Sequence, residues 1–296
     1  LQRAYDLGVN FFDTADTYGQ GFGEEILARA LGKHRHDIII GTKFGYDIYS
    51  PFERKGHTER PQKFEAQFVR FACEQSLRRL KTDYIDIYQY HNPRLEALQK
   101  DDVWDTLQDL VKEGKVRYVG SALGPDIGWF EEGDYSMRVR KVHSLQIIYS
   151  ILEQEPARRF FPIAKEHNVG LLTRVPHASE VLTDRYVNEP PRFDPTDHRA
   201  HRKREWLEKA LKRAAQVRFL AEGTGRTMAQ AAIKFCLAQP TVVSVLPNIV
   251  TMQELEEYLA APETPDLTRE ELDRLAEIYQ HNFYLEEAAP TPVEGS

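Results

Sequence analysis

Two cysteines, three methionines and three tryptophans are all that 296 residues contain of these types. Cys73 and Cys236 match no zinc or disulfide framework. Both fall in helix-periodic stretches and read as reduced core residues, which fits a cytoplasmic protein. No apolar run approaches the about 20 residues of a membrane span, and no signal-peptide pattern is visible. A basic excess is missing too: 39 Lys and Arg stand against 46 Asp and Glu, a net charge of −7. That balance argues against a nucleic-acid binder, although a local cationic pocket for a phosphate is compatible with it. An initial Met is also missing. The chain opens as "LQRAYDLG", which reads as the middle of a helix, so the expectation is an N-terminally incomplete sequence. Nothing in the sequence specifies an oligomeric state.

What is present is 41% hydrophobic and 29% charged residues, enough for a sizeable core. Short apolar, β-branched runs alternate with longer helix-periodic segments. Candidate strands cover 10–15, 38–44, 85–91, 116–123, 144–150, 170–176 and 242–247, and their near-continuous apolar character suits strands buried on both faces. Helical patterns cover 24–31, 64–80, 103–112, 157–167, 206–221, 228–238, 252–259 and 269–283. "DLTREEL" offers Thr268 as an N-cap with Glu271 three residues on, a capping box. Strict alternation predicts a parallel α/β fold. An eight-stranded (β/α)8 TIM barrel needs one strand more, upstream of Leu1. A doubly wound sheet is the alternative, but "GQGFGEE" stands too far beyond its strand for the usual Gly-rich turn. One domain over 1–296 is expected, with 286–296 as a mobile tail.

In such a barrel the C-terminal strand ends face the active site. Those ends carry Asp13 and, just beyond, Tyr18; then Lys43; then His91. Taken singly, such an Asp is a turn former, such a Lys snorkels to the surface, and such a His is inert. Four at successive strand ends are brought together by closure of the barrel. Asp16 reads as a turn or surface residue.

"GVNFFDTADTYG", "TKFG" and "IDIYQYHNP" resemble the aldo-keto reductase family, over nearly the whole chain. The resemblance implies a nicotinamide-dependent oxidoreductase in which Asp13, Tyr18, Lys43 and His91 form a catalytic tetrad. Hydride transfer to a carbonyl leaves charge on oxygen that needs a proton and stabilisation. Tyr18 would be the general acid/base. Lys43 would favour its phenolate form, Asp13 would pair with Lys43, and His91 would polarise the carbonyl. The substrate would be a small carbonyl compound or alcohol, with no nucleic-acid or membrane partner.

The resemblance also implies cofactor contacts. In "VGSALGP" Gly120 fits the family segment that meets the carboxamide. Ala122 and Leu123 replace its usual Ser and Asn, leaving Ser121 or backbone groups to substitute. Gln146 matches a second carboxamide partner. Thr173 and Arg174, in "LTRVPHASEVL", match the pyrophosphate segment, where a guanidinium suits a phosphate. Pro247 and Asn248 open the adenosine-phosphate junction, and Glu254, Glu257 and Tyr258 follow. A carboxylate such as Glu254 repels a 2′-phosphate but accepts from a ribose hydroxyl. NADP(H) follows from the family and NAD(H) is the alternative. The polar stretch 190–205 reads as a loop closing over the cofactor, with Arg199, Arg202 or Arg204 near its phosphates, or as a solvated charge run. His198 and His201 lack the partners of a metal site.

Two other functions compete. The departures at Ala122, Leu123, Glu254 and Tyr258 suit a weakly catalytic cofactor-binding protein. A metal-dependent hydrolase would need a ligand cluster that is not visible. Phe22, Tyr46, Ile48, Trp129 and Phe130 are candidate wall residues of the substrate site.

Overall fold

The computed structural model describes residues 1–53, 59–124, 129–194 and 202–285. Among the described residues seven strands carry the fold: β1 (Phe11–Asp13), β2 (Ile39–Phe44), β3 (Ile85–His91), β4 (Val116–Ala122), β5 (Ser144–Ile148), β6 (Gly170–Arg174) and β7 (Val242–Leu246). They pair in parallel in sequence order, β1 to β7. Each crossover between parallel neighbours must span the sheet, and helices do so. The helices are α1 (Gln2–Asp6), α2 (Phe22–Leu31), α3 (Ala66–Leu80), α4 (Leu95–Leu98), α5 (Asp101–Lys112), α6 (Phe130–Arg138), α7 (Ala157–His167), α8 (Arg204–Gln216), α9 (Met228–Leu237), α10 (Met252–Leu259) and α11 (Arg269–Gln280).

The chain forms two compact units. The first comprises Leu1–Tyr149, Glu153–Arg174 and Gln239–Val250, and holds every strand. Its sheet is rolled. Flat strands about 4.8 Å apart would separate β1 from β5 by roughly 19 Å, yet Gln146 Nε2 on β5 lies 3.1 Å from Asp13 Oδ1 on β1. This is the parallel β/α arrangement of the (β/α)8 barrel class.

Alternation along the strands then decides which side chains face inward. The register pairs Asp13 with Gly41, Lys43 with Gln89, Gln89 with Gly120, and Ala122 with both His91 and Gln146. Those positions share the inner face. Gly120 has to be glycine there, because a Cβ would overlap Ser144 Oγ and approach Gln89 Cγ to 3.0 Å.

The second unit comprises Ser150–Leu152, Val175–Ala238 and Thr251–Ser296, with α8 to α11. Capping boxes start α9 at Thr227 and Gln230, α10 at Thr251 and Glu254, and α11 at Thr268 and Glu271. The last is the one expected from sequence. Cys73 and Cys236 are both buried, as expected of core residues, and neither is in a disulfide among the described residues. Among the described residues no helix is long and apolar enough to cross a membrane. The 286–296 tail lies outside the described residues.

Candidate active site

Asp13 closes β1, and three donors converge on its carboxylate. Lys43 Nζ lies 2.5 Å from Oδ2, while Gln89 Nε2 and Gln146 Nε2 lie 3.0 and 3.1 Å from Oδ1. Lys43 is 1% exposed and also donates to the Thr14 carbonyl at 2.8 Å. Burial pushes the Lys43 ammonium towards deprotonation, but Asp13 and then Tyr18 outweigh it, so its proton is held more firmly than usual. A buried cation is retained when paired and hydrogen-bonded in this way.

Tyr18 sits five residues beyond Asp13, in the loop between β1 and α2, and is half exposed. Lys43 Nζ is 5.2 Å from the centre of its ring. His91, at the end of β3, meets the same ring edge-on at 6.2 Å and the Tyr46 ring at 5.0 Å. Burial, then the charges of Lys43 and Arg174, push the His91 imidazole well below its ordinary range. It is neutral at pH 7 and can donate a hydrogen bond from one nitrogen. Its Nδ1 is buried without a partner.

The four sequence-predicted groups therefore come together around an exposed phenol. A buried ammonium, a neutral imidazole and a phenolic hydroxyl suit an acceptor oxygen that gains charge during reaction. Among the described residues no cluster could hold a metal ion.

A family model described as "Aldo/keto reductase family" matches residues 1–280. The chain belongs to the aldo/keto reductase family. The uncharacterized oxidoreductase YqkF of Bacillus subtilis is 30% identical over 287 residues, covering 96% of this chain and 88% of that protein. The solved glycerol dehydrogenase of Gluconobacter oxydans superposes with a TM-score of 0.78 at 26% identity, covering 97% of this chain and 86% of that one. A holo-form aldo-keto reductase from Bacillus halodurans gives 0.73 at 28% identity, covering 99% and 88%. The protein is thus an oxidoreductase of the aldo-keto reductase family.

The residues expected to touch a cofactor lie at different places in this aldo-keto reductase. Gln146 is on the inner face but donates to Asp13. Arg174 ends β6 on the same face, donates from Nη2 to the Leu123 carbonyl at 3.1 Å, and acts on His91 and Lys43 by charge. Ser121 and Thr173 have the opposite parity. Ser121 pairs with Tyr90 and Leu145, and Thr173 with Ile147 and Val245. Their side chains face away from His91, and Ala122, which holds the inner-face position beside His91, has no hydroxyl. Thr173 Oγ1 donates to the Ser244 carbonyl at 3.5 Å. Pro247 and Asn248 follow β7, partly exposed.

In the second unit Glu254 is buried and committed. One oxygen accepts the Thr251 N–H of the capping box and the other the Arg185 guanidinium. Arg185 also lies 3.4 Å from Glu180. Glu257 is partly exposed, and its carbonyl accepts from Gln230 Nε2 at 2.9 Å. Tyr258 is buried against His177, ring centres 4.3 Å apart. Of the 190–205 stretch, Arg202 stacks over Trp206 and reaches Ser179 Oγ, and Arg204 pairs with Glu208. His198, Arg199 and His201 lie outside the described residues.

Asp16 is a correction in part. It does sit in a turn, but it is not a surface residue: it is fully buried with both carboxyl oxygens unpartnered. Among the proposed wall residues, Phe130 opens α6 and stacks on Phe160 at 5.2 Å, and Trp129 is buried under the Arg94 guanidinium. Tyr46 and Ile48 are buried and Phe22 is exposed. Sequence reasoning missed Gln89 and Arg185. For Gln89 a signal existed: it stands two residues before His91, so the strand period puts both on one face.

Proposed function

We propose that this protein reduces an aldehyde or ketone to an alcohol, or runs the reverse oxidation, with a nicotinamide cofactor and with Tyr18 as general acid/base. The observation that carries the reading is the placement of the Lys43 ammonium, held by Asp13, beside the Tyr18 ring, with neutral His91 edge-on to the same ring.

The chain's own groups account for the proton. His91 donates a hydrogen bond to the substrate oxygen and orients it. The Tyr18 hydroxyl gives that oxygen its proton as charge develops. The Lys43 ammonium then stabilises the phenolate left behind, and Asp13 keeps the ammonium in place. A bound nicotinamide supplies or accepts the hydride. The residues present suit such a group: Gln146 offers an amide on the inner face, and Arg174 offers a guanidinium at a strand end, the donor fork that suits phosphate. Ser121, Thr173, Pro247, Asn248 and Glu257 remain proposed contacts through whatever groups they present.

NADP(H) is favoured by the family. NAD(H) is favoured by Glu254, a carboxylate where a 2′-phosphate would be unwelcome, although Arg185 already neutralises it. A second reading, a cofactor-binding protein with weak turnover, draws on Ala122 and on the commitment of Gln146 to Asp13. Mixing the protein with NADPH or NADH and a panel of small aldehydes, and following the reduced nicotinamide absorbance, tests both. Turnover with either cofactor supports the first reading. Tight cofactor binding without turnover supports the second.

A further inference from the structure

The turn that carries Tyr18 is built around a carboxyl that the proton-transfer chemistry does not use. Asp16 is 0% exposed, and neither of its oxygens has a hydrogen-bond partner. A buried polar group left in that state is costly, and a buried charge in that state costs far more.

The groups facing it come from every neighbouring element. Glu24, in the first turn of α2, is also 0% exposed. It is fully occupied, accepting from Thr42 Oγ1 at 2.6 Å and from Arg79 Nε at 2.6 Å. Arg79 on α3 spends its remaining nitrogens on the Tyr49 hydroxyl and Ser76 Oγ. Lys43 on β2 is committed to Asp13 and Thr14. The Tyr49 and Tyr88 phenols also lie within electrostatic reach of Asp16, and the Tyr88 hydroxyl is itself buried and unpartnered. Burial first, and then the like charge of Glu24, hold the Asp16 carboxyl well above the usual carboxylate range. Arg79 and Lys43 oppose this, as does the Thr17 amide, which lies close without reaching hydrogen-bond geometry.

Asp16 and Tyr18 share one tight turn. The Tyr18 N–H donates to the Ala15 carbonyl at 3.2 Å, and the Tyr18 carbonyl accepts the Gly23 N–H at 2.9 Å. Gly23 packs so closely that an added Cβ would meet Thr14 Oγ1 at 2.8 Å and Tyr18 Cβ at 3.1 Å. A shift of Asp16 towards water therefore moves the phenol as well.

We propose that Asp16 is the positioning residue of Tyr18: buried in the turn that carries the phenol, it holds that turn only while uncharged, and so sets the alkaline limit of the site. Ionisation puts a carboxylate beside Glu24 with no hydrogen bond in place on either oxygen. The turn opens to hydrate the charge, and Tyr18 leaves its place beside Lys43 and His91. This inference rests on the reading of Tyr18 as the acid/base.

The test compares the whole protein with Asp16→Asn and Glu24→Gln. Asn has nearly the same shape and no charge to gain, so its turnover at pH 7 stays within about threefold of wild type and its alkaline fall-off moves up by about one pH unit or more. Glu24→Gln removes the repulsion, so its fall-off moves down. A purely structural role would not shift the two variants in opposite directions. The second readout needs no activity. A carboxyl whose native affinity for its proton is raised costs wild type stability as pH rises above the unfolded carboxylate range. The thermal midpoint of Asp16→Asn relative to wild type should therefore grow by about 3 °C or more between about pH 5 and 9. Coincident pH profiles, or a midpoint difference flat across that range, overturn the proposal. Inactivity of Tyr18→Phe alongside a flat Asp16 difference sinks this inference alone. Full activity of Tyr18→Phe sinks the acid/base reading, and the midpoint difference still reports on Asp16.

Discussion

Lys43 Nζ lies 2.5 Å from Asp13 Oδ2 and 5.2 Å from the centre of the Tyr18 ring, so one buried ammonium faces both a carboxylate partner and the phenol proposed to carry the proton. In that proposal the carboxylate fixes the charge, and the charge serves the phenol.

Lys43→Met should separate these two duties. Turnover should fall by roughly 10² to 10⁴. Unfolding in urea should show a loss of about 3 kcal/mol, because Asp13 is left charged with only two amide donors. Adding Asp13→Asn should recover much of the stability and none of the turnover.

Gln89 supports Asp13 from below. Gln89→Met removes one donor to Oδ1, but it also removes the buried, unpartnered Gln89 Oε1. The two changes partly cancel, so urea denaturation should show a loss of only about 1 kcal/mol. Turnover should fall far less than in Lys43→Met.

Gly120 is a packing requirement on the inner face. Gly120→Ala drives a methyl into Ser144 Oγ and Gln89, and overpacking of this kind costs about 1–3 kcal/mol. Gly120→Ala combined with Ser144→Gly should be more stable than Gly120→Ala alone, as read by the thermal midpoint.

The fold was legible wherever a long apolar run or a sharp periodicity stood alone. Ile85–His91 and Ala157–His167 were predicted to the residue, and the Thr268 capping box was visible because its two partners are three residues apart. The α6 segment was not legible: "FEEGDYSMR" carries a glycine, a poor helix former, where Gly133 packs closely against Phe160. Asp13, Tyr18, Lys43 and His91 could be gathered from strand ends alone. Ser121 and Thr173 came from the family resemblance instead, and strand parity, which a one-residue shift reverses, puts their side chains on the other face. Asp16 was not legible: nothing in "TADTY" distinguishes a solvated turn aspartate from one packed behind Glu24.

A pH dependence belongs to the second unit. His177 is buried, with Nε2 3.2 Å from the Ala229 carbonyl and Nδ1 unpartnered. Burial pushes its imidazole down to about 4. The unfolded chain therefore binds a proton that the native state refuses between about pH 6.5 and 4, and stability is lost as pH falls through that window. The contribution reaches roughly 3 kcal/mol. His177→Gln should flatten this part of the acid limb when urea midpoints are compared at pH 7 and pH 4.5.

The most direct test of the central claim is the single-turnover rate of Tyr18→Phe with saturating NADPH or NADH and an aldehyde that wild type reduces. A loss of about 10² or more in the hydride-transfer rate, with cofactor affinity and thermal midpoint unchanged, is the predicted result. A rate close to that of wild type would contradict the assignment of Tyr18 as the proton donor.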